Sequence, residues 1–227
     1  MKMKIPEDDV SLSDGLAYMV ESSAYSDHIS GAVEAKEVSK LLRTYCLSTC
    51  HNHRAVNAAN ASRKNLRVTG IGATVCTRHG CFIPHSIVDF QKGEWFMNID
   101  YSICQALNHQ SQGICSTILA YDVACQWQTN FMKRVRDSNH LQVPEGMDII
   151  AAVGKFHLSA HKPEHYPQSS LNFMEGAGQM DGKIINTLWA PLNKIAPSAQ
   201  EMSAAHWQEL RDDHILDSNW KKLNTIG

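Results

Sequence analysis

The sequence predicts an α/β fold, a mixed sheet flanked by helices, on three observations. A mostly apolar run, Thr117-Ile118-Leu119-Ala120-Tyr121-Asp122-Val123, has the length and composition of a buried strand. β-Branched residues alternate with glycine from Val68 to Cys76. Val38, Leu41, Leu42 and Tyr45 recur at i, i+3, i+4 and i+7, the spacing of one helical face.

Taken in chain order, Asp8 to Gly15 is turn-rich, and a helix is expected from Ser30 to Tyr45. Thr49 to Asn65 is polar, with helical content near Ala55 to Ala59. Val68 to Cys76 reads as a strand whose glycines mark a bulge or a close backbone approach. Phe82-Ile83-Pro84 reads as loop and Ser86 to Phe90 as a short strand, followed by a helix from Ile99 to Leu107. The apolar run ending in Asp122 is expected in the interior of the sheet, with a helix after it from Gln126 to Val135. Asp148 to Phe156 is apolar enough for a strand or a buried helix start. Ser203 to Leu216 places Trp207, Leu210, His214 and Ile215 on one helical face. There is no internal repeat, coiled coil or low-complexity tract.

Composition narrows the function classes. The 227 residues carry 21 Lys and Arg against 23 Asp and Glu, a net charge of −2, which argues against a strongly basic nucleic-acid domain and against a disordered polyelectrolyte. No apolar run approaches the ~20 residues that span a bilayer, and the N-terminal lysines precede no apolar stretch of a secretory signal. Seven cysteines, an odd number, read as reduced thiols. Together with 12 histidines they keep metal binding open.

Four groups of residues carry possible chemistry. Asp122 ends the apolar strand, where a carboxylate is held rigidly enough to bind a catalytic metal. The alternative is that Asp122 caps the following helix. Cys50-His51-Asn52-His53 and Cys76-Thr77-Arg78-His79 are both Cys-x-x-His, 22 residues apart, so Cys50, His53, Cys76 and His79 suit tetrahedral Zn²⁺. Cys81 and His51 compete as ligands, and core packing is the alternative. His157 and His161 stand four apart, a second ligand spacing without the Glu of a zinc protease. Arg54, Arg63, Lys64 and Arg67 form a basic stretch suited to phosphate contact, or else a solvated face.

A series of short segments points further. Cys76-Thr77-Arg78-His79-Gly80, Gln91-Lys92-Gly93-Glu94, Asn98-Ile99-Asp100-Tyr101 and Tyr121-Asp122-Val123-Ala124-Cys125-Gln126-Trp127 stand in this order. Phe156 to His161, Gly176 to Gly182, Trp189-Ala190-Pro191-Leu192-Asn193 and Asp217-Ser218-Asn219-Trp220 follow. No one of them is decisive, but their order is specific. From residue 8 onward the chain resembles the Kyakuja–Dileera–Zisupton (KDZ) transposases, in the form abundant in basidiomycete fungi.

The resemblance implies an RNase H-like core and a nuclear, DNA-acting protein of the DDE type, with Mg²⁺ or Mn²⁺ in the ancestral reaction. It implies that Asp122 matches the second catalytic acid. The family's third-acid motif, Asp-Gly-Glu-x-x-Glu-x-x-Trp, falls on Asp181 to Trp189, where Lys183 and Asn186 replace the glutamates. The first acid lies in an Asp-Gly-Asn-Phe strand expected upstream of this chain. The expectation is therefore an N-terminally truncated, incomplete and catalytically inactive transposase domain, exposed to aggregation because a central strand is lacking. It would be one domain over 1–227, with a helical, Cys/His-bearing part over 1–80 and the RNase H-like remainder over 81–227. Asp100 and Asp181 are possible accessory acids. The alternative is a non-enzymatic, zinc-stabilised DNA- or protein-binding module.

Overall fold

A computed structural model describes residues 9–40, 67–91, 93–161, 164, 166–180, 182–198 and 202–226. Helix α1 (Ser22–Lys40) is followed by strands β1 (Gly70–Gly72), β2 (Val75–Cys76), β3 (Cys81–Phe82) and β4 (Val88–Phe90). Helix α2 (Phe96–Asn108), strand β5 (Ser116–Ala120), helix α3 (Ala124–Arg136) and strand β6 (Asp148–Ala152) come next. A short turn of helix, α4 (Tyr166–Ser169), leads to α5 (Ile184–Ile195) and α6 (Ala204–Leu223).

The chain is α/β, but the strands among the described residues do not form one mixed sheet. Among the described residues they make three two-stranded ladders: β1 with β4 and β2 with β3, both antiparallel, and β5 with β6, parallel. β1 is only three residues long and has glycine at both ends, so little side-chain surface is available to extend a sheet from it. The expectation that β5 lies interior is corrected in the same way. Among the described residues it pairs with β6 alone, in register from Ser116↔Asp148 to Ala120↔Ala152. Its apolar character comes from packing on both faces, as in parallel sheets generally. Leu119 and Tyr121 join the main core with Ala151 and Val153, and Ile118 joins a smaller cluster of Ala152, Leu171 and Ala177.

The main core is built where α3 covers this parallel pair and meets α2, which packs on β1 and β4. Trp127, Phe131 and Val135 of α3 are buried at i, i+4 and i+8, and Trp127 lies against Phe131 with ring centroids 4.3 Å apart. Tyr101, Ile103, Cys104 and Leu107 supply the α2 side. A second core joins both ends of the chain, with Met19, Phe82 and Ile87 against Leu188, Leu192 and Ile215. Gly80, at φ +67° in the β2–β3 turn, permits close approach to α5: a Cβ there would stand 2.7 Å from Ile184 Cδ1.

The buried face of α6 differs from the expected one. Ile215 is buried, but His214 is exposed, and the face is completed by Gln208, Arg211, Asp212 and Asn219. Each of three of these polar side chains replaces a hydration shell with specific bonds. Asn219 bonds both Phe82 N–H and Phe82 C=O, Arg211 bonds the Asp89 carboxylate, and Asp212 accepts from the backbone of Tyr18 and Met19. No helix among the described residues is long and apolar enough to cross a membrane.

Candidate functional site

The site forms at the C-terminal end of the β5–β6 pair. β5 ends at Ala120, and Tyr121 N–H still donates to Ala152 O at 2.9 Å. The chain then turns through Asp122 into α3. The N-cap of α3 is Val123, with no side-chain capping bond, so Asp122 is not used as a cap. Its carboxylate is half exposed and lies 3.3 Å from His157 Nε2. His161 Nε2 lies 3.0 Å from the Asp122 carbonyl oxygen. A carbonyl only accepts, so that nitrogen carries the proton. The two histidines are joined by a 3₁₀ turn over Leu158–Ala160 rather than lying on one α-helical face. Both serve Asp122, one at its carboxylate and one at its backbone.

Sequence reasoning missed Glu94. Its carboxylate accepts the Tyr121 hydroxyl at 2.7 Å, immediately beside Asp122. Burial pushes the Glu94 pKa up, the Tyr121 hydrogen bond opposes this, and the Asp122 charge adds to the rise. Burial and Glu94 likewise push the Tyr121 hydroxyl up. A carboxyl raised in the fold favours the protonated native state, so its contribution is present at low pH. That contribution is lost as pH rises from the unfolded-chain value through the folded one. Glu94→Gln keeps an acceptor for Tyr121 and carries no charge. It is expected to raise the thermal midpoint at pH 7–8 and not at pH 4, as differential scanning fluorimetry across pH would show.

Asp100 has a structural position. It is 1% exposed and accepts from Trp127 Nε1 at 2.7 Å and from two nitrogens of Arg134. Arg134 in turn stacks on Phe96, 5.1 Å from the ring centroid. Burial pushes the Asp100 carboxyl up, and Arg134 and Trp127 hold it down. Asp181 lies outside the described residues. Next to it Gly182, at φ +78°, packs against the chain leaving β6, where a Cβ would stand 3.4 Å from Gly154 Cα.

That approach places Lys183 at the start of α5, with its Nζ 4.8 Å over the Phe156 ring. Asn186, in the first turn, is exposed. The tripeptide Lys155-Phe156-His157 therefore touches both halves of the site: His157 meets Asp122 and Phe156 meets Lys183. An open hollow of about 760 Å³ lies on the Lys183 side, lined by Lys155, Phe156, Asn172, Gly178, Gln179 and Lys183.

The sequence segments that meet here decide the family. A profile described as Kyakuja-Dileera-Zisupton transposase matches residues 1–219. The chain belongs to the KDZ transposase family. No curated protein and no solved structure matches the chain. In this KDZ chain the Tyr121-Asp122 segment and the Asp181-to-Trp189 segment, far apart in sequence, converge on the three residues after Gly154.

The other candidate residues of the KDZ chain are divided. Cys76 and His79 meet, Sγ to Nδ1, at 3.3 Å, and Cys81 faces Cys76 across the β2–β3 ladder. Cys50 and His53 lie outside the described residues, as do Arg54, Arg63 and Lys64. Arg67 is exposed. Among the described residues, no group of three or more His, Cys, Asp or Glu side chains is arranged to hold a metal ion.

Proposed function

We propose that this chain is a DDE-type transposase derivative that binds a DNA strand and does not cut it. The observation that carries this reading is Lys183, an ammonium beside the segment that holds Asp122. By the family resemblance, Lys183 stands where a metal-binding glutamate is expected. Two-metal phosphoryl transfer needs several carboxylates to clamp two divalent ions. A cation at the position expected for one of those carboxylates repels those ions instead. By the same resemblance Asn186 replaces a second glutamate. The residues at this site therefore do not fit a metal pair.

The RNase H-like core belongs to the same proposal. Its support is the β5–α3–β6 unit, with parallel strands and the acid just beyond the C-terminal end of the first of them. Ligand sites in open α/β sheets gather at such strand ends. The assignment to a nuclear protein of the basidiomycete type rests on the motif series alone.

A second reading has one observation in its favour. The Cys76–His79 contact, with Cys81 opposite, is two or three ligands of a zinc-stabilised binding module completed by Cys50 and His53. Metal titration tests both readings. Mn²⁺ followed by electron paramagnetic resonance is expected to show no saturable site. A saturable site lost in Asp122→Ala overturns the proposal. Elemental analysis that returns one zinc per chain, lost in Cys76→Ser, establishes the zinc module in addition.

A further inference from the structure

We propose that the hollow between Lys155 and Lys183 is a metal-independent cradle for single-stranded DNA. In it the two ammoniums grip a backbone phosphate and the Phe156 ring carries a base. The inference rests on the strand-binding part of the reading above and names the ligand of that site.

Four features of the hollow favour this ligand. First, its lining is cationic and amide-bearing: Lys155 and Lys183, with Asn172 and Gln179 as further donors, and no carboxylate among the described lining residues. Second, it opens on the N-terminus of α5, a 12-residue helix with no acidic residue in its first turn and no side-chain capping bond. The helix dipole there favours an anion. A phosphate satisfies both features, but neither selects a nucleotide.

The aromatic rings make that selection. Phe156 is 61% exposed in the lining itself, and Phe173, beside the lining residue Asn172, is 70% exposed. Lys183 holds one face of Phe156 by a cation–π contact. An ammonium in that position can turn to a phosphate while a base takes the ring. Lysines interleaved with exposed aromatics are the elements of sequence-tolerant single-strand binding, because every base has a stacking face. In a duplex those faces are hidden, so the cradle discriminates against double-stranded DNA. Lys183 thus does with its own charge what a metal pair does elsewhere: it neutralises phosphate.

The test uses the full 227-residue chain and fluorescein-labelled oligothymidine, read by anisotropy with EDTA or with Mg²⁺. The expected result is equal binding in both. Lys155→Ala with Lys183→Ala should weaken it at least tenfold and lower the salt slope by about 0.7, the value of one neutralised phosphate on a single strand. Phe156→Ala should weaken it about tenfold, the loss of one stacked base. Lys183→Glu should abolish it. All three positions are at least partly exposed, and unchanged thermal midpoints would confirm that the variants fold.

Binding that requires Mg²⁺, variants that bind like the parent, or no binding at all would overturn the cradle. Competition by inorganic phosphate as strong as by oligothymidine would reduce the site to a free-anion site and overturn the strand assignment, and equal competition by duplex would do the same. A parallel plasmid-nicking lane separates the two readings. Nicking overturns the non-cutting function; binding that the Lys155, Lys183 and Phe156 variants do not weaken overturns the cradle alone; and absent binding without nicking overturns the cradle together with the strand-binding part of that function.

Discussion

Asp100→Ala is expected to destabilise the protein by about 3–5 kcal/mol, the cost of breaking a buried ion pair from one side. Asp100 is 1% exposed and accepts from both the Trp127 indole and the Arg134 guanidinium. Alanine would leave a buried indole N–H without its acceptor and Arg134 without its counter-charge, in the core where α2 meets α3. Asp100→Asn retains one acceptor and should fall between the two. Urea denaturation monitored by Trp fluorescence measures the loss. A change under 1 kcal/mol for Asp100→Ala would show that water replaces these bonds and that the network is not structural.

Asp212→Ala should be nearly as damaging, at about 3 kcal/mol or more from three lost bonds to a charged acceptor. One carboxylate oxygen accepts from Tyr18 N–H and Met19 N–H at 3.0 Å each, and the other accepts from Ser13 Oγ at 2.6 Å. These bonds hold residues 13–19 on α6. There Met19 forms its parallel bridge to Ile87 and enters the second core. Their loss should release that segment before the rest of the fold. Amide hydrogen exchange should therefore accelerate first at Val20 and Ile87, which donate across the bridge to Ile87 and Tyr18. Uniform acceleration throughout α3 would show that the second core is not a separate unit.

Asp212 also shows where sequence reading stops. Hydropathy periodicity located α2, β5 and α3 within a few residues, because their buried positions are apolar. On α6 the buried side chains are Gln208, Arg211, Asp212 and Asn219 around a single Ile215, a pattern that hydropathy cannot tell from a solvated face. Burial there is set by backbone groups of Tyr18, Met19 and Phe82, far away in the chain. Helix α5 was hidden for a local reason: Pro191 sits inside it, and proline reads as a helix breaker.

The site divides in the same way. Asp122 was legible from its strand, and Lys183 only through the resemblance to the family's third-acid motif, whose register Asp181-Gly182 and Trp189 keep. Their convergence on residues 155–157 was not legible, because it comes from contacts between segments far apart in the chain. Glu94 was quoted within a motif, but only the tertiary fold brings it to Tyr121 and Asp122. The edge of β5 misled for a physical reason. An apolar run reports that both faces are covered, and says nothing of how many strands lie beside it.

The central claim is that this KDZ chain holds DNA without cutting it, and nicking of supercoiled plasmid in Mg²⁺ and Mn²⁺ tests it most directly. The predicted result is that the chain yields no nicked or linear product, and that Lys183→Glu with Asn186→Glu yields none either. Divalent-dependent nicking by the unmodified chain, abolished by Asp122→Ala, would contradict the claim and show that Asp122 still works with other acids, Glu94 first among them.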